Sequence, residues 1–106
     1  MGNSLISHGG YAPEGYDVAA TTGTRVATRD TLRKYWAAVN ASDTPIYLAL
    51  YQVGDGGTNT AVVGSGIYLA ANGGSFELNN VNMYYDEIWA IHGGSGTKRL
   101  SVQRGR

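Results

Sequence analysis

The side chains able to do chemistry are few and poorly spaced for it. Two histidines are present, His8 and His92. His92 follows Ile88 and Ala90 on one face of a candidate strand and sits at the rim of a turn. A metal site needs several converging ligands, and the sequence offers His92 none, so a hydrogen-bonded rim histidine is expected. Asp86 and Glu87 are adjacent. On a strand they point to opposite faces, the wrong arrangement for an acid and a base working on one substrate. Asp55 to Asn59 is rich in oxygen ligands but lacks the spacing and closing glutamate of an EF-hand, and reads as a turn. No glycine-rich stretch matches a P-loop, no serine lies in a nucleophile elbow, and there is no cysteine. Asn40-Ala41-Ser42 matches a glycosylation acceptor, which has meaning only in a secretory pathway. The chain is therefore expected to be a non-enzyme, with no catalytic residue, metal site or cofactor.

The aromatic residues carry the stronger signal. Tyr47, Tyr51, Tyr68, Trp89, the pair Tyr35-Trp36 and the pair Tyr84-Tyr85 lie within strand-like text. They suit either a stacking platform for sugars or bases, or the anchors of a core and a subunit interface. From Tyr35 to Thr97 there is no lysine or arginine. That gap disfavours nucleic acid, which is held mainly by cationic side chains, and the interface reading is preferred.

These residues need elements to hold them, and the text from Arg25 onward supplies short strands separated by glycine turns. Thr24 to Asp30 is a candidate first strand. Lys34 to Asn40 places Trp36 and Ala38 on one face and Tyr35, Ala37 and Val39 on the other. A helix over Asp30 to Val39, capped by Thr28 or Asp30, is the alternative there. Ile46 to Val53 is apolar on both faces, so a central strand covered on both sides is expected. Gly54 to Asn59 is a loop, followed by Ala61 to Val63 and then Gly66 to Ala70, with Ile67 and Leu69 inward. Asn72-Gly73-Gly74 predicts a type I′ hairpin leading into Ser75 to Leu78. Glu87 to His92 is a further strand, with Trp89 and Ile91 on one face. Gly93 to Thr97 reads as a hairpin loop, and Leu100 and Val102 turn inward on the last strand. The pattern predicts an all-β chain: a small antiparallel β-sandwich or barrel over 25–106, preceded by an extended N-terminal arm over 1–24. The arm shows no period, and its tyrosines, Tyr11 and Tyr16, favour docking over fraying.

A length of 106 residues suits one domain, and a net charge of zero removes the self-repulsion that keeps proteins apart. No apolar run approaches a membrane span, and no basic-then-apolar leader is visible, so synthesis without Sec export is expected. The basic residues are segregated. Arg25, Arg29, Arg33 and Lys34 lie in the first third, and Lys98, Arg99, Arg104 and Arg106 lie at the end. Such an arrangement serves either ordered docking or the protection of strand edges by charge.

Arg33-Lys34-Tyr35-Trp36, Asn40 to Leu48, Gly66-Ile67-Tyr68-Leu69, Gly73 to Leu78, Ile88 to Ile91, Gly96-Thr97 and Leu100-Ser101-Val102 together form one template. In this order they resemble a group of small structural proteins of tailed bacteriophages, over about residues 25–103. Trp36, where a smaller aliphatic is usual, and the longer insert from Asp55 to Ser65 depart from that pattern. The resemblance implies a virion protein on the capsid exterior, such as a decoration (cement) protein. It would be a homotrimer bound to the major capsid protein, with no direct contact to nucleic acid or membrane. No catalytic residue comes with it. Tyr11, Tyr16, Arg25, Arg29, Arg33, Tyr47, Tyr51 and Arg104 are the candidate capsid or subunit contacts. The alternative is a receptor- or glycan-binding domain on a tail or fibre.

Overall fold

The computed structural model describes residues 10–51 and 61–106, without the side chain of Tyr51. His8 and the loop expected at Gly54 to Asn59 lie outside the described residues. Eight strands form: β1 (Ala12–Val18), β2 (Thr24–Ala27), β3 (Tyr35–Asn40), β4 (Ile46–Tyr51), β5 (Ile67–Leu69), β6 (Ser75–Leu78), β7 (Glu87–His92) and β8 (Lys98–Gly105). They make two antiparallel four-stranded sheets, ordered β1-β8-β3-β6 and β2-β7-β4-β5. The expected all-β sandwich is therefore what forms, and Asp30 to Val39 resolves as a turn followed by strand β3 rather than a helix. No helix is present among the described residues.

Alternation of side chains builds the interior. Trp36 and Ala38 on β3, Ile46 and Leu48 on β4, and Ile88 and Ala90 on β7 all point between the sheets and are buried. Leu100 and Val102 do the same on β8, and Leu69 and Leu78 close the layer from β5 and β6. Strand β4 lies between β7 and β5, the interior place in its sheet that its two apolar faces predicted.

The connections differ from the expected hairpins. Of the strands adjacent in sequence, only β4 and β5 pair with each other; every other step crosses from one sheet to the other. The resulting order is that of a two-sheet jelly roll. Asn72 and Gly73 do adopt the positive φ values their types permit, 60° and 123°. Yet they join β5 of one sheet to β6 of the other. The same holds for Gly93 to Thr97, which joins β7 to β8 across the sandwich. Turn residues set the local sign of φ, while the sheet that a strand joins is decided by which faces must be buried.

Asn40 fixes one such crossing. Its buried amide donates to the carbonyls of Thr44, at 2.8 Å, and Leu69, at 3.1 Å, and its Oδ1 accepts from the backbone N–H and hydroxyl of Ser42. The backbone amide of Gly73 donates to the Asn40 carbonyl at 2.8 Å. The sequence matched as a glycosylation acceptor thus has its asparagine fully enclosed.

The segment expected as an arm is partly a strand. Ala12 to Val18 pairs with β8 at seven successive positions, and Val18 is fully buried. Its inward row is Ala12, Glu14, Tyr16 and Val18; Pro13, Gly15 and Asp17 face outward. A glutamate in the inward row and a proline and glycine in the outward row hid the period of two. Pro13 is tolerated because β1 is an edge strand, where one row of backbone amides has no partner strand.

Candidate functional site

Two regions carry side chains beyond what packing requires. The first is the outer face of the β2-β7-β4-β5 sheet. Register places Tyr68 beside Tyr47 and Tyr47 beside Ile91, and in the next outward row Ala49 beside Trp89 and Trp89 beside Arg25. The rings of Tyr47 and Tyr68 meet at 5.5 Å with their planes 59° apart, a tilted pair of the favourable kind. Tyr68 remains 57% exposed. The indole N–H of Trp89 donates to Glu87 at 3.0 Å, which ties the ring to its own strand. The other sheet presents Ala37, Ser101, Gln103, Ser75 and Glu77 outward, together with Val39 and with Tyr35, against which Tyr11 lies. Both sheets thus carry outward aromatic side chains, and the larger group, Tyr47, Tyr68 and Trp89, lies on the β2-β7-β4-β5 sheet.

The second region is a cleft of about 540 Å³ at the side where the edge strands β1 and β2 face each other. Five arginines line it: Arg25, Arg29, Arg33, Arg104 and Arg106. Arg33 is buried and holds the adjoining loops together. Its guanidinium donates to the carbonyls of Tyr84 (2.6 Å), Asp86 (3.2 Å) and Thr28 (2.7 Å). Burial lowers its pKa from the usual arginine value, while Asp30, Tyr84 and Asp86 act in the opposite direction. Arg104 donates through Nε to Glu14 at 2.8 Å, and the same carboxylate accepts the Tyr16 hydroxyl at 2.8 Å. Burial, helped by that glutamate, raises the Tyr16 phenol to about 12. The hydrogen bond to Glu14 raises Arg104. Arg25 pairs with Glu87 at 3.2 Å and Arg29 with Asp86 at 3.1 Å. Arg106 Nε lies 3.1 Å from Asp30 Oδ2, yet that buried nitrogen makes no aligned hydrogen bond.

Four of the expected contact residues, Arg25, Arg29, Arg33 and Arg104, therefore converge on one cleft, and Tyr16 joins them from β1. The segregated charge noted in the sequence closes on itself: Arg25, Arg29, Lys98, Arg99, Arg104 and Arg106 each meet a carboxylate of the same chain. Tyr11 stands elsewhere, with its ring 6.3 Å from that of Tyr35 and lying on Gly105, where any side chain would strike it. Tyr47 belongs to the aromatic face, and the side chain of Tyr51 lies outside the described residues. Glu14 escaped the sequence reading because β1 did; its spacing to Tyr16 and Val18 was the available signal.

His92 is buried on the inner face of β7. Its Nδ1 accepts the Gly94 amide at 3.0 Å, so the ring proton sits on Nε2 and is donated to the Gly96 carbonyl at 2.8 Å. Both nitrogens hold the crossing loop, and that is a structural role. Asp86 and Glu87 diverge, the first to Arg29 and the second to Arg25. Among the described residues no group of three metal-ligating side chains converges.

No family model matches the chain, and no curated protein matches it. One solved structure, described as "Bacillus endospore appendages form a novel family of disulfide-linked pili", aligns with 99% of this chain and 96% of its own, at 13% identity and a TM-score of 0.45.

Proposed function

We propose that the chain is a non-enzymatic structural subunit that works by docking, and that it decorates the head shell of a tailed bacteriophage as a cement protein. The observation that carries the reading is the aromatic outer face of the β2-β7-β4-β5 sheet: Tyr68 and Tyr47 in register, with Trp89 in the next outward row. Aromatic residues concentrated on one face are the compositional mark of an interface centre. A net charge of zero suits close packing on a neighbour. The phage setting rests on the sequence resemblance over about residues 25–103. In that setting the partners are the major capsid protein and two further copies of the chain, on the capsid exterior.

The aromatic face would supply affinity to each contact, and many weak contacts over a shell would add through multivalency. A contact of this type buries at least about 1,000 Å². The test is light scattering of the purified protein, alone and after mixing with empty phage shells. A trimer that sediments with the shells, and a Tyr47→Ala/Tyr68→Ala double variant that stays folded but does not, is the expected result. A folded wild-type protein that ignores shells overturns the decoration role. The tail or fibre glycan-binding role draws on the same rings, but the 59° tilt between Tyr47 and Tyr68 denies them a shared flat platform. A specific glycan-array hit removed by Tyr68→Ala would replace one reading with the other.

A further inference from the structure

We propose that Tyr11 and Tyr35 form a covalent cross-linking site, whose rings are joined by a one-electron oxidant of the peroxidase and hydrogen peroxide class. Both rings lie on the outer face of the β1-β8-β3-β6 sheet. The proposal is therefore independent of the decoration role, which uses the other sheet.

Register brings the two residues together across a strand. Gly105 of β8 pairs with Tyr35 of β3 on one side. On its other side β8 pairs with β1, where Ala12 faces Arg104, so Tyr11 comes level with Gly105. Outward side chains two strands apart are ordinarily separated by the side chain between them. At Gly105 there is none. The Tyr11 ring lies over that glycine, where an added Cβ would run into Cε2 of the ring. It reaches Tyr35 with the ring centroids 6.3 Å apart and the planes tilted by 41°. Two tyrosine rings joined by a carbon–carbon bond are also twisted against each other, so the tilt already suits the product. The rings have only to slide closer, and Tyr11 has room to do so: it is 67% exposed and stands one residue before β1.

The chemistry balances without any other group of the protein. Each phenol loses one electron and one proton to give a phenoxyl radical. The two radicals join through ring carbons next to the hydroxyl-bearing carbons, and the hydrogens displaced there move to the oxygens and restore both phenols. Hydrogen peroxide takes up the two electrons and two protons and leaves as two waters. Oxidation of a phenol is easier when its proton has an acceptor. The Tyr35 hydroxyl donates to Glu77 of β6, and that hydrogen bond is the main cause of its raised pKa. The chain has no cysteine, the side chain an oxidant would otherwise take first.

The link would tie the entry of β1, an edge strand held in its sheet by β8 alone, to β3 in the interior of that sheet. Closing the loop from 11 to 35 also removes freedom from the unfolded chain, as a disulfide does.

The experiment is treatment of the full chain, at high dilution, with a haem peroxidase and hydrogen peroxide, read by dityrosine fluorescence and by mass spectrometry of the digested monomer. The expected product is a monomer lighter by two hydrogens, with the peptides carrying Tyr11 and Tyr35 linked and the melting temperature raised by roughly 10 °C. Tyr11→Phe is expected to abolish that link with an unchanged circular dichroism spectrum. Gly105→Ala keeps both tyrosines but places a methyl group where the Tyr11 ring lies, and is expected to lower the yield several-fold. If Gly105→Ala unfolds, the linked peptide and its loss in Tyr11→Phe decide the matter. No link within the monomer, links formed only between chains, or a link between Tyr47 and Tyr68 without one between Tyr11 and Tyr35 overturns the proposal. A yield indifferent to a folded Gly105→Ala variant overturns it as well.

Discussion

The packed interior and the arginine cleft are made by the same strands. On β8 the inward row runs Leu100, Val102, Arg104; on β1 it runs Val18, Tyr16, Glu14. At one end these side chains are apolar and buried. At the other they are charged, and the sandwich opens. Alternation thus sets direction in both regions alike, and residue type alone decides whether the enclosed space becomes core or site. The cleft is affordable because its charges arrive with partners: Glu14 holds both Tyr16 and Arg104, and three carbonyls hold Arg33. A buried charge without such partners would cost several kcal/mol.

Strand β1 serves both regions, so its removal should have the largest effect. Deleting residues 1–24 uncovers β8 and removes Val18 from the core, and loss of cooperative thermal unfolding is expected by calorimetry. A truncated protein that still melts as one sharp transition would show that β1 is an accessory arm. Within the closed region, Leu48→Ala removes a fully buried side chain and should cost about 2–5 kcal/mol by denaturant titration. Inside the cleft, Arg33→Ala should cost about 2–4 kcal/mol, because it strands the carbonyls of Thr28, Tyr84 and Asp86. Arg104→Gln, at a half-exposed pair, should cost no more than about 1 kcal/mol. If those two arginine variants proved equally harmful, the division of the cleft into a buried, structural Arg33 and a half-exposed, ion-paired Arg104 would fail.

The smallest expected effect is a pH dependence at Tyr16. Its phenol titrates near 12 in the folded chain, above the usual 10. The folded state thus favours the protonated form. That contribution is complete below pH 10 and is lost as the pH rises toward 12. Stability measured from pH 9 to 12 should therefore fall more steeply for the wild type than for Tyr16→Phe, and parallel curves would show that burying the Tyr16 phenol beside Glu14 does not hold its proton.

Much of this architecture was legible along the chain. Trp36 and Ala38, Ile46 and Leu48, and Leu100 and Val102 declared their inward direction by spacing alone, because a strand has a period of two whatever sheet it joins. Two things resisted. Strand β1 was obscured because its inward row is half polar and its outward row holds Pro13 and Gly15. The turns at Asn72-Gly73 and at Gly93 to Thr97 looked like hairpins because local turn chemistry fixes backbone angles without naming the partner strand.

The arginines show the same division. Their clustering at two places in the sequence was plain, and so was the gap between them. Whether they faced a partner or one another was not. Arg25 and Arg29 meet Glu87 and Asp86 about sixty positions away, and Arg104 meets Glu14 ninety positions away. The sequence by itself determined an all-β chain, the inward and outward rows of most strands, and which residue types were available for a site. Only the tertiary structure decided the pairing of the charges, the sheet each strand joins and the existence of a cleft, because each depends on contacts between residues far apart in the chain.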